Sequence, residues 1–183
     1  MKKAVLLGDS IRLIGYGSKA AEMLKNDCEV WQPDDNCRFA KYTLRMLFDC
    51  KEYLDGADVI HWNNGLWDCS DLFGDGRLFT PLEEYVDNML RIADILLSYG
   101  KKVIFATTTP THPDYPYTKL ENIQRYNEAL VPKLREKGIR INDLHATMLA
   151  HRHDGLAEDQ IHLNDLGTEL CARQVADSIR SAL

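Results

Sequence analysis

Short apolar runs alternate with longer amphipathic stretches along this chain. Residues 3–8 (KAVLLG) are apolar up to a glycine, which predicts a buried strand. Residues 16–25 have helix-forming composition and stop at Asn26-Asp27. Residues 28–32 predict a second strand, closed by the turn signal Pro33-Asp34-Asp35-Asn36. Leu44, Leu47, Phe48 and Leu54 recur at helical spacing within 43–54, and 57–62 is a third strand ending at Asn63-Asn64-Gly65. Thr80-Pro81-Leu82-Glu83 predicts a helix start, with Thr80 capping, Pro81 at the first helical position and Glu83 completing a capping box. Behind it Leu82, Tyr85, Val86, Met89, Leu90, Ala93, Leu96 and Leu97 form one apolar stripe, with Gly100 as its stop. Residues 102–106 are a fourth strand. A helix over 119–137 contains Pro132, which should kink or divide it. A fifth strand covers 139–144, and a closing helix covers 165–183 with Leu166, Leu170, Val175 and Ile179 inward.

Five strands with helical segments between them predict parallel βαβ units with right-handed crossovers. The architecture expected is a three-layer α/β/α sandwich around a doubly wound parallel sheet of strand order 2-1-3-4-5. No linker, repeat or low-complexity tract interrupts the 183 residues, so residues 1–183 are read as one domain. Hydrophobic residues at 45% and charged residues at 27% argue against disorder and against a fibrous repeat. A net charge of −6 argues against a broad basic nucleic-acid footprint. No apolar run approaches the ~20 residues of a membrane span, and the apolar stretch 4–7 is too short for a signal-peptide core. Five dispersed cysteines without a C-x-x-C pair read as reduced thiols. A cytoplasmic protein is therefore expected, without nucleic-acid or membrane partners.

In an open doubly wound sheet, ligands bind beyond the carboxyl ends of the strands, where strand order reverses. Strand one is followed there by Gly8-Asp9-Ser10, strand two by Asn36-Cys37-Arg38, and strand three by Asn63-Asn64. Strand four leads to Thr107-Thr108-Thr109 and strand five, eventually, to Asp159-Gln160-Ile161-His162. A hydroxyl, amide donors and an Asp–His pair thus converge on one edge. Asp58-Val59-Ile60-His61 carries the same Asp-x-x-His spacing. It lies along a strand, however, where positions three apart face opposite sides, so His61 is read as a satisfied sheet residue. Asp159 and His162 sit in a polar loop before the last helix, where a carboxylate can hold the imidazole in the tautomer that leaves its far nitrogen free as a base.

Gly8-Asp9-Ser10-Ile11 after the first strand, with Asp159-x-x-His162 before the last helix, resembles the GDSL/SGNH hydrolase superfamily of esterases and acyl hydrolases. The order and separation of these motifs match the superfamily's plan over nearly the whole chain. The phrases Gly8-Asp9-Ser10-Ile11-Arg12, Asn63-Asn64-Gly65-Leu66 and Ile161-His162-Leu163-Asn164 resemble its bacterial branch linked to acyl groups on carbohydrates. The resemblance implies a small-molecule ester substrate, no cofactor, Ser10 as nucleophile, His162 as base and Asp159 as its orienter. His162 also precedes a helix N-terminus, whose partial positive charge favours neutral imidazole.

The family's oxyanion hole takes the nucleophile's N–H, a second-block glycine N–H and a third-block asparagine amide. Here the second block, Asn36-Cys37-Arg38-Phe39-Ala40-Lys41, has no glycine, so its N–H falls between Arg38 and Lys41. In the third block Gly65 aligns, but Trp67 stands where the asparagine belongs, leaving Asn64, or else Asn63, as the amide, or no amide at all. Asp9, Arg12, Arg38 and Trp67 flank the site as substrate-binding candidates. Trp62, Trp67 and Phe73 offer either a sugar-stacking platform or loop packing. His145, His151 and His153 lack partners at metal-ligand spacing, so no metal is expected. Thr107-Thr108-Thr109 lacks the glycines of a phosphate cradle, and Asn127 and Asp143 are read as structural. The same triad could serve a lipid or thioester acyl hydrolase. Two non-catalytic alternatives are a flavin-binding module, which the residues after strand one argue against, and a weak relative that only binds acylated ligand.

Overall fold

The computed structural model describes residues 1–99 and 102–183. Its centre is a parallel five-stranded sheet in the order β2-β1-β3-β4-β5, as expected from the sequence. The strands are β1 (Lys3–Leu7), β2 (Glu29–Trp31), β3 (Val59–Asn63), β4 (Lys102–Ala106) and β5 (Arg140–Asn142). The central three are buried almost throughout, which is why each reads as a continuous apolar run rather than an alternating one. Leu7 pairs with Trp62, Asn63 with Ala106, and Ala106 with Asn142, so these strands finish on one line. Every loop that leaves this edge is delivered to the same place.

The helices are α1 (Gly17–Leu24), α2 (Ala40–Asp49), α3 (Lys51–Leu54), α4 (Leu82–Ser98), α5 (Leu120–Glu136), α6 (Leu144–Ala150) and α7 (Asp165–Arg180). One face of the sheet is covered by α1 and α7, which pack on each other, and α4 and α5 cover the other with α2 alongside α4. A wide helical turn, Ile11–Tyr16, precedes α1 and breaks at Gly15. No helix among the described residues is long and apolar enough to cross a membrane.

Several local expectations are corrected. The stretch expected as one helix over 43–54 starts earlier, at Ala40, and is interrupted at Cys50. Its start is set from a distance, because the Asp68 carboxylate accepts the Ala40 N–H. Thr80 does not cap α4: Pro81 occupies the cap position, and Thr80 is buried with its carbonyl accepting the Tyr126 hydroxyl. The expected stop at Gly100 lies outside the described residues. Pro132 does not divide α5. It lies on the exposed side of the helix, as does Glu128, whose carbonyl loses its partner there and can turn to water. The fifth strand is three residues long, and α6, capped by the Asp143 side chain on Ala146 N–H, follows it unannounced by the pattern. In α7 the inward face is Gly167, Cys171, Ala172, Val175, Ala176 and Ile179, while Leu166 is 41% exposed.

The face of the sheet under α7 carries a polar tether as well as apolar packing. His61 is fully buried and shares a hydrogen bond with Asn142 at 3.1 Å, and Asn142 accepts from Gln174 of α7. Burial lowers the His61 pKa to about 3, so the ring is neutral; its Nδ1 has no partner, so it is a half-satisfied sheet residue. All five cysteines are buried and free. Trp62 is fully buried against Phe105, with ring centroids 4.8 Å apart, whereas Phe73 is 82% exposed. Trp62→Ala is therefore expected to cost about 3–5 kcal/mol in urea unfolding, while Phe73→Ala should stay within about 0.5 kcal/mol of the parent chain. Equal losses would contradict this placement of the core.

Candidate active site

Ser10 leaves β1 three residues after its last pairing and opens the wide turn. Two glycines let the backbone close up around it. A side chain on Gly8 would collide with Asn63 Oδ1 at the end of β3, and Gly65, at φ +135°, would collide with Thr108 and Tyr85. The space at Gly8 is filled by a buried polar chain. Tyr16 donates its hydroxyl to Asn63 Oδ1 at 2.7 Å, and Asn63 Nδ2 donates to Asp9 Oδ1 at 2.8 Å. Asp9 Oδ1 also accepts the Ile11 N–H at 2.9 Å, fixing the backbone on both sides of Ser10. Asp9 is raised to about 6: burial dominates, opposed by the bonds from Asn63 and Ile11 and by the charge of Arg12.

The second block is zipped to the same strand end. Cys37 N–H donates to the Gly8 carbonyl at 3.1 Å, and Gly8 N–H donates to Cys37 Sγ at 3.2 Å. Arg12, a substrate-binding candidate from sequence, is 1% exposed. Its guanidinium donates to the carbonyls of Pro33 at 2.8 Å, Asp35 at 2.7 Å and Gly8 at 3.3 Å. It clamps the loop from inside. Arg38 adopts φ +51°, the left-handed conformation that favours glycine, in the block whose glycine is missing. Its side chain lies over Tyr42 and near Asp35, at the surface.

The third element is the loop before α7. Asp159 Oδ1 accepts the N–H groups of Ile161 and His162 at 3.2 and 3.0 Å, an arrangement that Gln160 permits by taking φ +68°. Asp159 Oδ2 meets His162 Nδ1 at 2.6 Å, and His162 Nε2 meets Ser10 Oγ at 2.8 Å. Partial burial pushes Asp159 up, but the His162 ring and the two backbone donors outweigh it and leave the carboxyl below its usual range. With Nδ1–H donated to a carboxylate, Nε2 is the acceptor and the Ser10 hydroxyl the donor.

Ser10 and His162 open onto a cavity of about 410 Å³, walled by Leu13, Ile14, Leu66, Leu72 and Ile161 and by Trp67 and Tyr115, with Asn36 and Ser70 as further polar groups. Trp67, alone among the three aromatic residues singled out from sequence, reaches it. Asn63 and Asn64 do not. Asn63 is committed to Asp9 and Tyr16, and Asn64 is fully buried, accepting from Thr43 and donating to the Arg38 carbonyl. Arg12 and Arg38 are also absent from the wall, as is Asp9. Thr108 and Asn127 bond each other, Thr107 bonds Asp143, and the His145 ring meets the Thr108 carbonyl; these hold β4 to α5 and α6. No group of three or more His, Cys, Asp or Glu among the described residues is arranged to hold a metal ion.

Tyr16 and Asp68 escaped the sequence reading, and Asn36, placed there at the edge after strand two, was not named as a site residue. Tyr16 and Asp68 sit inside segments that read as ordinary helix and loop, and Asn36 reads as a turn residue. Asp68 is fully buried and raised to about 6, by burial first, against bonds from Thr80 and Ala40. It joins the loop after β3 to the start of α2.

No family model matches the sequence. The GDSL esterase/lipase WDL1 of Oryza sativa subsp. japonica is 31% identical over 119 residues, which is 56% of this chain and 45% of that protein, so the match spans less than half of its length. Among solved structures, the acetyl xylan esterase AlAXEase superposes with a TM-score of 0.81 at 20% identity, over 97% of this chain and 99% of that one. A lipase/acylhydrolase from Enterococcus faecalis superposes at 0.81 and 19% identity, over 99% and 96%. A GDSL-like lipase from Bacteroides thetaiotaomicron gives 0.78 at 16% identity, over 100% and 89%. The resemblance stated from the sequence therefore holds at the level of architecture: this chain has the GDSL/SGNH hydrolase fold.

Proposed function

We propose that the chain is a serine esterase that cleaves neutral esters through an acyl-enzyme on Ser10. The observation that carries this reading is the unbroken chain of hydrogen bonds from Asp159 through His162 to Ser10 at the mouth of the cavity. Ser10 Oγ adds to the ester carbonyl carbon as its proton passes to His162 Nε2, and the carbonyl π pair moves onto oxygen. Collapse of that adduct expels the alcohol oxygen, which takes the proton back from His162. Water then repeats the two steps on the acyl-enzyme and frees Ser10 and the acid. Asp159 keeps the ring oriented and stabilises the imidazolium in each half.

The walls speak to the acyl group. Five aliphatic side chains and two aromatic rings surround the space, and among the described residues His162 and Tyr115 are the titratable groups on it. Such a lining suits a hydrocarbon chain longer than acetyl, because each methylene buried contributes about 0.8 kcal/mol. A sugar ester, the substrate named for the acetyl xylan esterase neighbour, fits with the sugar toward solvent. A lipid or thioester acyl group fits the apolar walls directly. The alternatives differ in the alcohol or thiol released, not in the triad.

Hydrolysis of p-nitrophenyl acetate, butyrate and octanoate is the test. Ser10→Ala should lower kcat at least about 10³-fold, and Asp159→Asn about 10²-fold or more. Activity unchanged in Ser10→Ala, or none in the parent chain, would overturn the reading in favour of a protein that binds acylated ligand. In the parent chain, kcat/KM should rise about tenfold from acetate to butyrate if both added methylenes are buried.

Asp9 supplies a check by stability. Its pKa is raised from 3.8 to about 6, so between those values the folded chain holds a proton that the unfolded chain releases. Its contribution to stability therefore falls as pH rises through that window, by about 3 kcal/mol at most. Asp9→Asn keeps an oxygen for Ile11 N–H and carries no charge. The Tm of this variant relative to the parent chain should rise from about pH 4.5 to about pH 7.5. A difference independent of pH would show that Asp9 does not titrate in this way.

A further inference from the structure

Resting on the esterase reading, we infer that the side-chain amide of Asn36 is the side-chain donor that stabilises the carbonyl oxygen as Ser10 adds to it. The negative charge formed there needs a hydrogen-bond donor held beside Ser10 before the reaction begins. The third-block amides are directed elsewhere: Asn63 to Asp9, and Asn64, fully buried, to the Arg38 carbonyl. The second-block N–H groups are partly spent as well. Arg38 N–H goes to Asn36 Oδ1 and Ala40 N–H to Asp68.

Asn36 stands on the wall with Ser10 and His162. Its Oδ1 accepts the Arg38 N–H at 2.7 Å, which closes an Asx turn and pins the oxygen to its own chain. The two N–H hydrogens therefore occupy the other end of the amide plane. The neighbouring backbone is fixed on both sides. Cys37 is hydrogen-bonded to Gly8 in both directions, Asn36 N–H goes to Asp35 Oδ1 at 2.7 Å, and the buried Arg12 holds the Pro33 and Asp35 carbonyls. The amide is thus carried on a loop tied to the strand end two residues before Ser10. Ser70, also on the wall, is already bonded to the Leu66 carbonyl and to Thr118. Trp67 offers an indole N–H, but among the described residues no comparable tether orients it toward Ser10; its ring meets Phe79 edge-on, with centroids 6.4 Å apart.

Asn36→Asp separates this role from a purely structural one, since the carboxylate keeps an oxygen for the Arg38 N–H while removing the donor. With p-nitrophenyl butyrate, both Asn36→Asp and Asn36→Ala should lower kcat about 10²–10³-fold with KM within about threefold. Labelling of Ser10 by a fluorophosphonate, whose P–O oxygen gains charge in the same place, should slow in parallel. A structural role predicts instead that Asn36→Asp behaves as the parent chain and that only Asn36→Ala is impaired. That result overturns the inference, as does a larger loss of kcat in Trp67→Phe than in either Asn36 variant. A parent chain that is neither labelled nor active would remove the esterase reading itself, and this inference with it.

Discussion

The close approach of Gly8 to Asn63 is the contact on which the whole site depends. Parallel strands β1 and β3 end side by side, and the missing side chain at Gly8 leaves room for the Asn63 amide between them. That amide joins Tyr16 on one side to Asp9 on the other. Asp9 in turn fixes the turn that presents Ser10. A larger residue at position 8 would push these strand ends apart and displace Ser10 from His162, which arrives on a loop more than 150 residues later. The register of the sheet makes the remaining loops converge without further instruction.

Charge is handled beneath the cavity rather than in it. Asp9 and Asp68 are buried carboxyls, and burial of a charge is costly unless hydrogen bonds compensate. Each accepts at least one backbone N–H and a side-chain donor, and each remains raised to about 6. Arg12 is the matching cation, spread over three carbonyls that would otherwise need water. These groups give the loops a rigid base. The cavity above is left largely hydrocarbon. The two non-glycine residues with positive φ among the described residues, Arg38 and Gln160, lie in loops that line it. Their strained conformations orient Asn36 and Asp159.

Much of this was legible before any coordinates. The five apolar runs determined a parallel α/β/α sandwich, because strands buried on both faces cannot alternate with polar residues. The strand order 2-1-3-4-5 was the common one for that fold class, and a doubly wound sheet delivers its carboxyl-end loops to one edge, which placed Ser10, Asp159 and His162 there; it was the resemblance to a known superfamily that joined them as a set. The decoy at Asp58 and His61 was separable too, by the two-residue period of a strand. What stayed hidden depended on contacts distant in sequence. The start of α2 is set by Asp68, the capping signal at Thr80 is overridden by burial, and Arg12 turned inward to carbonyls that only folding brings near it. The amides of Asn63 and Asn64 likewise read as open donors until Asp9, Tyr16 and Arg38 are placed beside them. The sequence alone determined the fold and which residues reach the sheet edge, because periodicity and chain order are local properties. Only the tertiary structure decided which of those side chains face the cavity, because a hydrogen bond is settled by whichever partner packing places within reach.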